Sequence, residues 1–291
     1  MSAAKRLVVC GGNGFLGSRI CRYAVGRGWD VTSISRSGEP KWENVTSSAT
    51  PPPWAHKVSW ERADIFQPEA WAPLIKGADA VVHSMGILLE ADYKGVISGR
   101  ESPIAGLRKA FSPAAGRAAP PNPLRRAPGD ELRPPESPAQ LTYEMMNRDS
   151  AVLLAREAAR ERVGAFLYVS AAGGAPVLPE RYILTKREAE SILTSEFPQM
   201  RSVFLRAPFM YDSSRGLTMP LAAATGAGAL FNRATGGIFG SILGSGGVKP
   251  LKANDVAEAA VEALSDETVR GPVEVPQIEE LANKGWRKSM L

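Results

Sequence analysis

Leu7-Val8-Val9-Cys10 runs directly into Gly11-Gly12-Asn13-Gly14-Phe15-Leu16-Gly17, and Val31-Thr32-Ser33-Ile34-Ser35 follows, ending at Arg36. This reads as a strand, a glycine turn, a helix and a second parallel strand. Such a unit holds a dinucleotide by its pyrophosphate. Gly11 permits the tight turn, Gly14 admits the phosphates close to backbone, and Gly17 lets helix pack on strand. Asn13, Phe15 and Leu16 lie in the same turn, and free N–H groups at the helix start face the anion. The helix is expected from Phe15 to about Arg27, with Leu16, Ile20, Tyr23 and Ala24 at helical spacing.

Arg36 bears on which dinucleotide is bound. A cofactor without a 2′-phosphate usually meets an acid about 20 residues into the unit. Here the second strand closes on Ser35-Arg36-Ser37-Gly38, with no acid. An arginine fork suits a phosphate. The reading is therefore NADP(H), with a solvated arginine beside an NAD site as the alternative.

The pattern continues as strand and helix in alternation, which implies an α/β protein with a Rossmann-type, doubly wound parallel sheet. Strands are expected at 6–10, 30–35, 58–63, 80–84, 165–170 and 202–206. Helices are expected at 15–27, 68–75, 143–162, 182–196 and 254–264, the last with Asp255 near its N-cap. Gly38 to Pro53 reads as a polar loop. The chain reads as one domain, 1–291, carrying a Pro-rich insertion at 91–140. Nine prolines there, from Pro103 to Pro138, exclude a long helix or central strand. A small C-terminal substrate lobe is expected at about 209–250. Its apolar, glycine-broken stretch fits either a polyprenyl tail or membrane surface, or simply a lobe core.

Composition narrows the class. The 291 residues are 44% hydrophobic and 22% charged, as in a soluble globular protein. The net charge of +5 is mild, and much of the excess lies in the proline-rich segment. Nothing resembles a nucleic-acid module, although the basic segment could touch an acidic partner or membrane. Cys10 and Cys21 read as buried small hydrophobes in a reducing compartment, and two histidines are too few for a histidine-built metal site. No secretory signal, arginine-rich presequence or spanning helix is expected.

Tyr182-Ile183-Leu184-Thr185-Lys186 places Tyr and Lys at i and i+4 on one helical face. An ammonium beside a phenol favours the phenolate, so the tyrosine can give or take a proton as hydride moves. The bland alternative is an ordinary surface pair. Here the pair opens the helix after the fifth strand.

Across nearly its whole length the chain resembles the short-chain dehydrogenase/reductase superfamily, in its extended or atypical branch. The glycine spacing carries this, with Asp64-Ile65, Val82-His83-Ser84-Met85-Gly86, Arg206-Ala207-Pro208-Phe209-Met210 and Lys252-Ala253-Asn254-Asp255-Val256-Ala257. The resemblance implies an adenine pocket at Asp64 and Ile65, and ribose and phosphate contacts near His83 and Ser84. It also implies a nicotinamide site near Pro208, Phe209 and Met210, with Tyr182 and Lys186 catalytic and Asn147 bracing the lysine. It expects a catalytic Ser or Thr past strand five, where the sequence reads Ser170-Ala171-Ala172. Ser170 is the candidate, with a simple strand-end hydroxyl as the alternative. If it stands one residue early, alanine fills the place.

Within that branch, Gly11 to Arg19, Val82 to Glu90, Pro121-Asn122-Pro123-Leu124, Thr142 to Asn147 and Tyr182 to Glu190 resemble the fungal mitochondrial reductase-like proteins associated with the coenzyme Q biosynthesis complex. That resemblance implies a matrix-side protein bound to the inner membrane, acting in ubiquinone synthesis on a hydrophobic quinone intermediate beside other coenzyme Q proteins. A non-catalytic NADPH-binding subunit of such a complex, or of a respiratory complex, is the competing expectation. A sugar-nucleotide epimerase or dehydratase is a third.

Overall fold

The computed structural model describes residues 4–86, 122–125, 142–173, 180–212 and 248–290. Seven strands form one parallel sheet: β1 Arg6–Cys10, β2 Asp30–Ser35, β3 Val58–Arg62, β4 Ala80–His83, β5 Ala165–Ala171, β6 Arg201–Ala207 and β9 Gly271–Val273. Their order is β3-β2-β1-β4-β5-β6-β9. The chain thus winds outward from β1 in both directions, and the crevice where the winding reverses lies between β1 and β4. In register, Val8 stands between Thr32 and Val81. The central strand is apolar on both faces because both are covered: Leu7, Val8 and Val9 are fully buried.

Two helical layers cover the sheet. On one face, α1 (Gly17–Gly26), α6 (Ala253–Ser265) and α7 (Val275–Ser289) pack over Leu7, Val9, Val82 and Leu167. On the other, α3 (Pro68–Ile75), α4 (Ser150–Arg160) and α5 (Glu180–Glu196) pack over Val8, Val81, Phe166 and Tyr168. Alternate residues of each strand serve alternate layers, as the two-residue period of a strand requires. In α5 the buried stripe is Tyr182, Thr185, Lys186, Ala189 and Leu193, so the Tyr/Lys pair lies on the core-facing side.

Several expectations need correction. Strand three ends at Arg62, not Ala63. The helix expected over 143–162 opens as a π-turn, Glu144–Asp149, before continuing as α4. Asp255 stands near the N-cap of α6 as expected: it is the third residue of the helix, and the N-cap itself is Lys252 with extended backbone. The polar stretch after β2 contains a short helix, α2 (Glu43–Thr46). Behind α2, Trp42 packs edge-on to Trp54 and Trp60, with ring centroids 5.4 and 5.7 Å apart. These three rings cover the sheet beside its β3 edge. β9 and α7 were not anticipated. Most of the insertion and of the expected lobe lies outside the described residues. Of the lobe, the described residues hold its two ends, where β7 (Met210–Tyr211) pairs in parallel with β8 (Leu251–Lys252).

Candidate active site

The glycine turn is shaped by exclusion. Gly11 has φ +87°, and its N–H donates to Ile34 O at 2.8 Å. A Cβ on Gly11 would stand 2.8 Å from Met85 Cγ. A Cβ on Gly17 would stand 2.2 Å from the Gly11 carbonyl oxygen and 2.6 Å from Ser84 Oγ. The cradle therefore admits no side chain at either position, and the start of α1 meets the ends of β1 and β4. The Gly14 N–H donates to Gly11 O at 2.9 Å and closes the turn. This cradle at a helix N-terminus, in the crevice where the winding reverses, fits a dinucleotide pyrophosphate. Leu16 is buried beneath it. Asn13 Nδ2 donates to Ser37 Oγ at 2.7 Å, which joins the turn to the end of β2.

Arg36 is exposed just past β2, and its carbonyl accepts a 3.1 Å bond from Arg62 Nε. Asp64 Oδ1 accepts from the Phe66 N–H at 3.0 Å, so Asp64 shapes its own turn, and Ile65 beside it is buried. Ser84 Oγ donates to Cys10 O at 3.1 Å, beside the cradle.

His83 was expected among the cofactor contacts. Its ring instead lies on the α4 side, fully buried, with Nε2 2.8 Å from Ser150 Oγ. Burial, and then the Lys186 charge, hold its pKa down at about 3, so the ring is neutral.

Tyr182 and Lys186 come together as expected. Lys186 Nζ lies 5.7 Å from the Tyr182 ring centroid and 5.1 Å from that of Tyr168. It donates to Val169 O at 3.0 Å. Burial lowers the Lys186 pKa to about 7, against the pull of Glu190. Burial also raises the Tyr182 phenol to about 12, partly offset by Arg187. Asn147 joins them from the π-turn. A Cβ on Gly86 would lie 3.1 Å from Asn147 Oδ1 and 3.6 Å from Lys186 Nζ, so the amide and the ammonium converge beside the end of β4. The Asn147 carbonyl accepts the Tyr168 hydroxyl at 2.5 Å. The wider π-turn places this amide at the pocket.

Ser170 is not part of this group. Its hydroxyl donates to Glu190 at 2.6 Å and accepts from Arg187 at 3.1 Å. Glu190 is in turn gripped by Arg206, which also holds Glu274 at 2.6 Å. The residue that packs against Tyr182 is Ala171, together with Tyr143, whose ring centroid is 5.9 Å from that of Tyr182. Ser170 keeps the phase of Phe166 and Tyr168 toward α5, where Glu190 and Arg187 occupy its hydroxyl. Pro208, Phe209 and Met210 follow β6, with the Phe209 carbonyl accepting from the Leu251 N–H at 3.1 Å. Tyr143, Arg62 and the Glu190–Arg206 cluster were missed by the sequence reading. No spacing in the sequence joins Arg62 to Arg36; the parallel register Ser35↔Arg62 brings them together.

Comparison with known proteins agrees with this architecture. Residues 7–92 match the NAD dependent epimerase/dehydratase family. MIOREX complex component 2 of Saccharomyces cerevisiae is 38% identical over 229 residues, 74% of this chain and 76% of that protein. An uncharacterized chloroplastic protein of Arabidopsis thaliana is 41% identical over 83 residues, 28% of this chain and 25% of its own. Among solved structures, WbmH of Bordetella bronchiseptica, in complex with NAD+, superposes with a TM-score of 0.54 at 17% identity, covering 97% of this chain and 80% of that one. UDP-N-acetylglucosamine 4-epimerase of Bacillus cereus gives 0.51 at 15% identity, covering 95% and 83%. The glycine cradle, the strand order and the long match to the yeast protein together place this chain in the NAD dependent epimerase/dehydratase family.

Proposed function

We propose that the protein binds NADP(H) and transfers hydride between it and a hydrophobic quinone-type intermediate of ubiquinone biosynthesis, in mitochondria on the matrix side of the inner membrane. The observation that carries the chemistry is the buried Tyr182–Lys186 pair with Asn147 beside it. The quinone, the coenzyme Q partners and the location rest on the sequence resemblance. The yeast relative, named as a complex component, supports a protein that works in an assembly.

When bound, the nicotinamide ring supplies or accepts the hydride. The chain holds the cofactor through the Gly11–Gly17 cradle, the turn at Arg36 and the pocket at Asp64 and Ile65. Tyr182 gives or takes the proton at its hydroxyl. Lys186 lowers the cost of the phenolate when charged and reaches the nicotinamide ribose. Asn147 orients Lys186. A pKa of about 7 lets Lys186 change charge near neutrality.

Ala171 favours a second reading. With no hydroxyl from β5 at Tyr182, the pocket lacks one donor for a developing oxyanion, a loss worth about 3 kcal/mol. A dinucleotide-binding subunit without turnover, stabilised by its ligand, fits that feature. The experiment is NADPH oxidation with a short-tailed quinone, by wild type and Tyr182→Phe. Turnover that vanishes in the variant while NADPH affinity stays supports the reductase. Tight NADPH binding without turnover in the wild type gives the second reading precedence.

A further inference from the structure

Arg62, the last residue of β3, reaches the backbone of Arg36 just past β2, and the two differ from the ion-paired arginines of this fold. Arg27 is held by Glu258 and Glu262, Arg181 by Glu144, and Arg206 by Glu190 and Glu274. Arg36 and Arg62 are exposed, and among the described residues neither meets a carboxylate. The acids close in sequence are engaged elsewhere. Glu39 accepts from Trp42 Nε1 at 2.8 Å, and Asp64 accepts from the Phe66 N–H. Glu61 alternates with Arg62 along β3 and so belongs to the opposite face.

The two arginines are tied together. Ser35 and Arg62 are partners in the parallel register. Arg62 Nε donates to the Arg36 carbonyl, which leaves both terminal nitrogens of Arg62 for another acceptor. The Gly38 N–H donates to Ser35 O at 3.3 Å, so Arg36 and Ser37 ride on a closed turn. Ser37 is fastened to the glycine cradle by Asn13. Two cationic residues joined in this way, with no counter-charge among the described residues, attract an anion, and two guanidinium forks match a phosphomonoester.

We infer that Arg62 is a second specificity determinant, forming with Arg36 a two-guanidinium receptor for the 2′-phosphate of NADP(H). This rests on the NADP(H) reading above and adds a residue from a different strand to it. NADH has no such phosphate, so Arg62 discriminates between the two cofactors without touching the transferred hydride.

The test is equilibrium titration of the full chain with NADPH, with NADH and with 2′,5′-ADP, for wild type, Arg62→Met and Arg62→Lys. The expected result is a roughly tenfold or greater weakening of NADPH and of 2′,5′-ADP in Arg62→Met, the scale of one charge-assisted hydrogen bond. NADH affinity stays unchanged, and Arg62→Lys recovers part of the loss by keeping the charge without the fork. Equal weakening of NADPH and NADH, or no change in either, overturns the role of Arg62 while leaving Arg36 in place. A wild type that binds NADH as tightly as NADPH removes the NADP(H) reading itself, and this inference with it.

Discussion

The Arg19 guanidinium, buried in α1, meets the Asp212 carboxylate at 2.9 Å just beyond β7. The same guanidinium stacks on the Phe15 ring, 4.5 Å from its centroid, and donates to the Phe15 carbonyl at 2.6 Å. One side chain therefore ties the glycine turn to the end of β7. Removing one partner of a buried pair leaves the other charge buried without its counter-ion, at a cost of about 3 kcal/mol. Arg19→Met is expected to destabilise the fold by that order. Asp212→Asn should both destabilise it and weaken dinucleotide binding at a site in another part of the sequence. A double-mutant cycle in urea unfolding should give a coupling of about 1–3 kcal/mol. Additive single changes would refute the coupling.

Gly17→Ala tests the cradle. Its Cβ would stand 2.2 Å from a backbone oxygen, which has no rotamer to move aside. The start of α1 must then shift away from β1. Loss of measurable NADPH binding is expected, with a fold destabilised by about 1–3 kcal/mol. Gly26→Ala, in the same helix with open space at its Cβ, should bind normally. Near-normal NADPH affinity in Gly17→Ala would mean that the cofactor does not use this turn.

The cradle and the central strands were legible because their signals are local. Glycine spacing, apolar runs and the i, i+4 pair at Tyr182 and Lys186 need no knowledge of distant residues. What stayed hidden depends on long-range geometry. The direction in which Ser170 points follows from strand phase, and only the packed structure reveals that Glu190 takes its hydroxyl. His83 reads as a cofactor contact from its neighbours in sequence. Its phase on β4 turns it instead toward Ser150, 67 positions later. β9 escaped because a three-residue edge strand carries too little period to recognise, whereas α7 has a legible signal in Pro276 near its start and Ile278, Leu281 and Ala282 at helical spacing. Trp42 and Trp54 of the β2–β3 connection and Trp60 of β3 come from separate short segments, so no spacing rule joins them.

Ala171→Ser addresses the missing hydroxyl. Ala171 packs with Tyr143 and Tyr182, so a serine there would put an O–H beside the phenol. The burial of an added hydroxyl should cost stability by about 1–2 kcal/mol. If the pocket reduces a carbonyl, kcat should rise about tenfold or more with NADPH affinity unchanged, because the donor acts only as charge develops. The comparison is kcat for quinone-dependent NADPH oxidation in the two proteins. An unchanged or lower kcat in a folded variant would show that Ala171 is not where the oxyanion forms.

His83 gives a pH test of the buried layer. Its pKa is held near 3 in the fold, chiefly by burial, against an ordinary value of 6.5. Between those values the unfolded chain carries the proton and the folded chain does not. Stability therefore rises with pH across that window and falls as pH drops from 6.5 toward 3. The contribution is on the order of a few kcal/mol and is complete above the unfolded pKa. His83→Gln keeps a polar group for Ser150 but cannot titrate. Urea midpoints measured every half unit from pH 4 to pH 8 should show a shallower acid slope for the variant than for the wild type. The carboxylates that titrate in the same range are common to both proteins and cancel in the difference. Parallel slopes would mean that the imidazole is protonated inside the fold, or that water reaches Nδ1, the ring nitrogen that has no partner among the described residues.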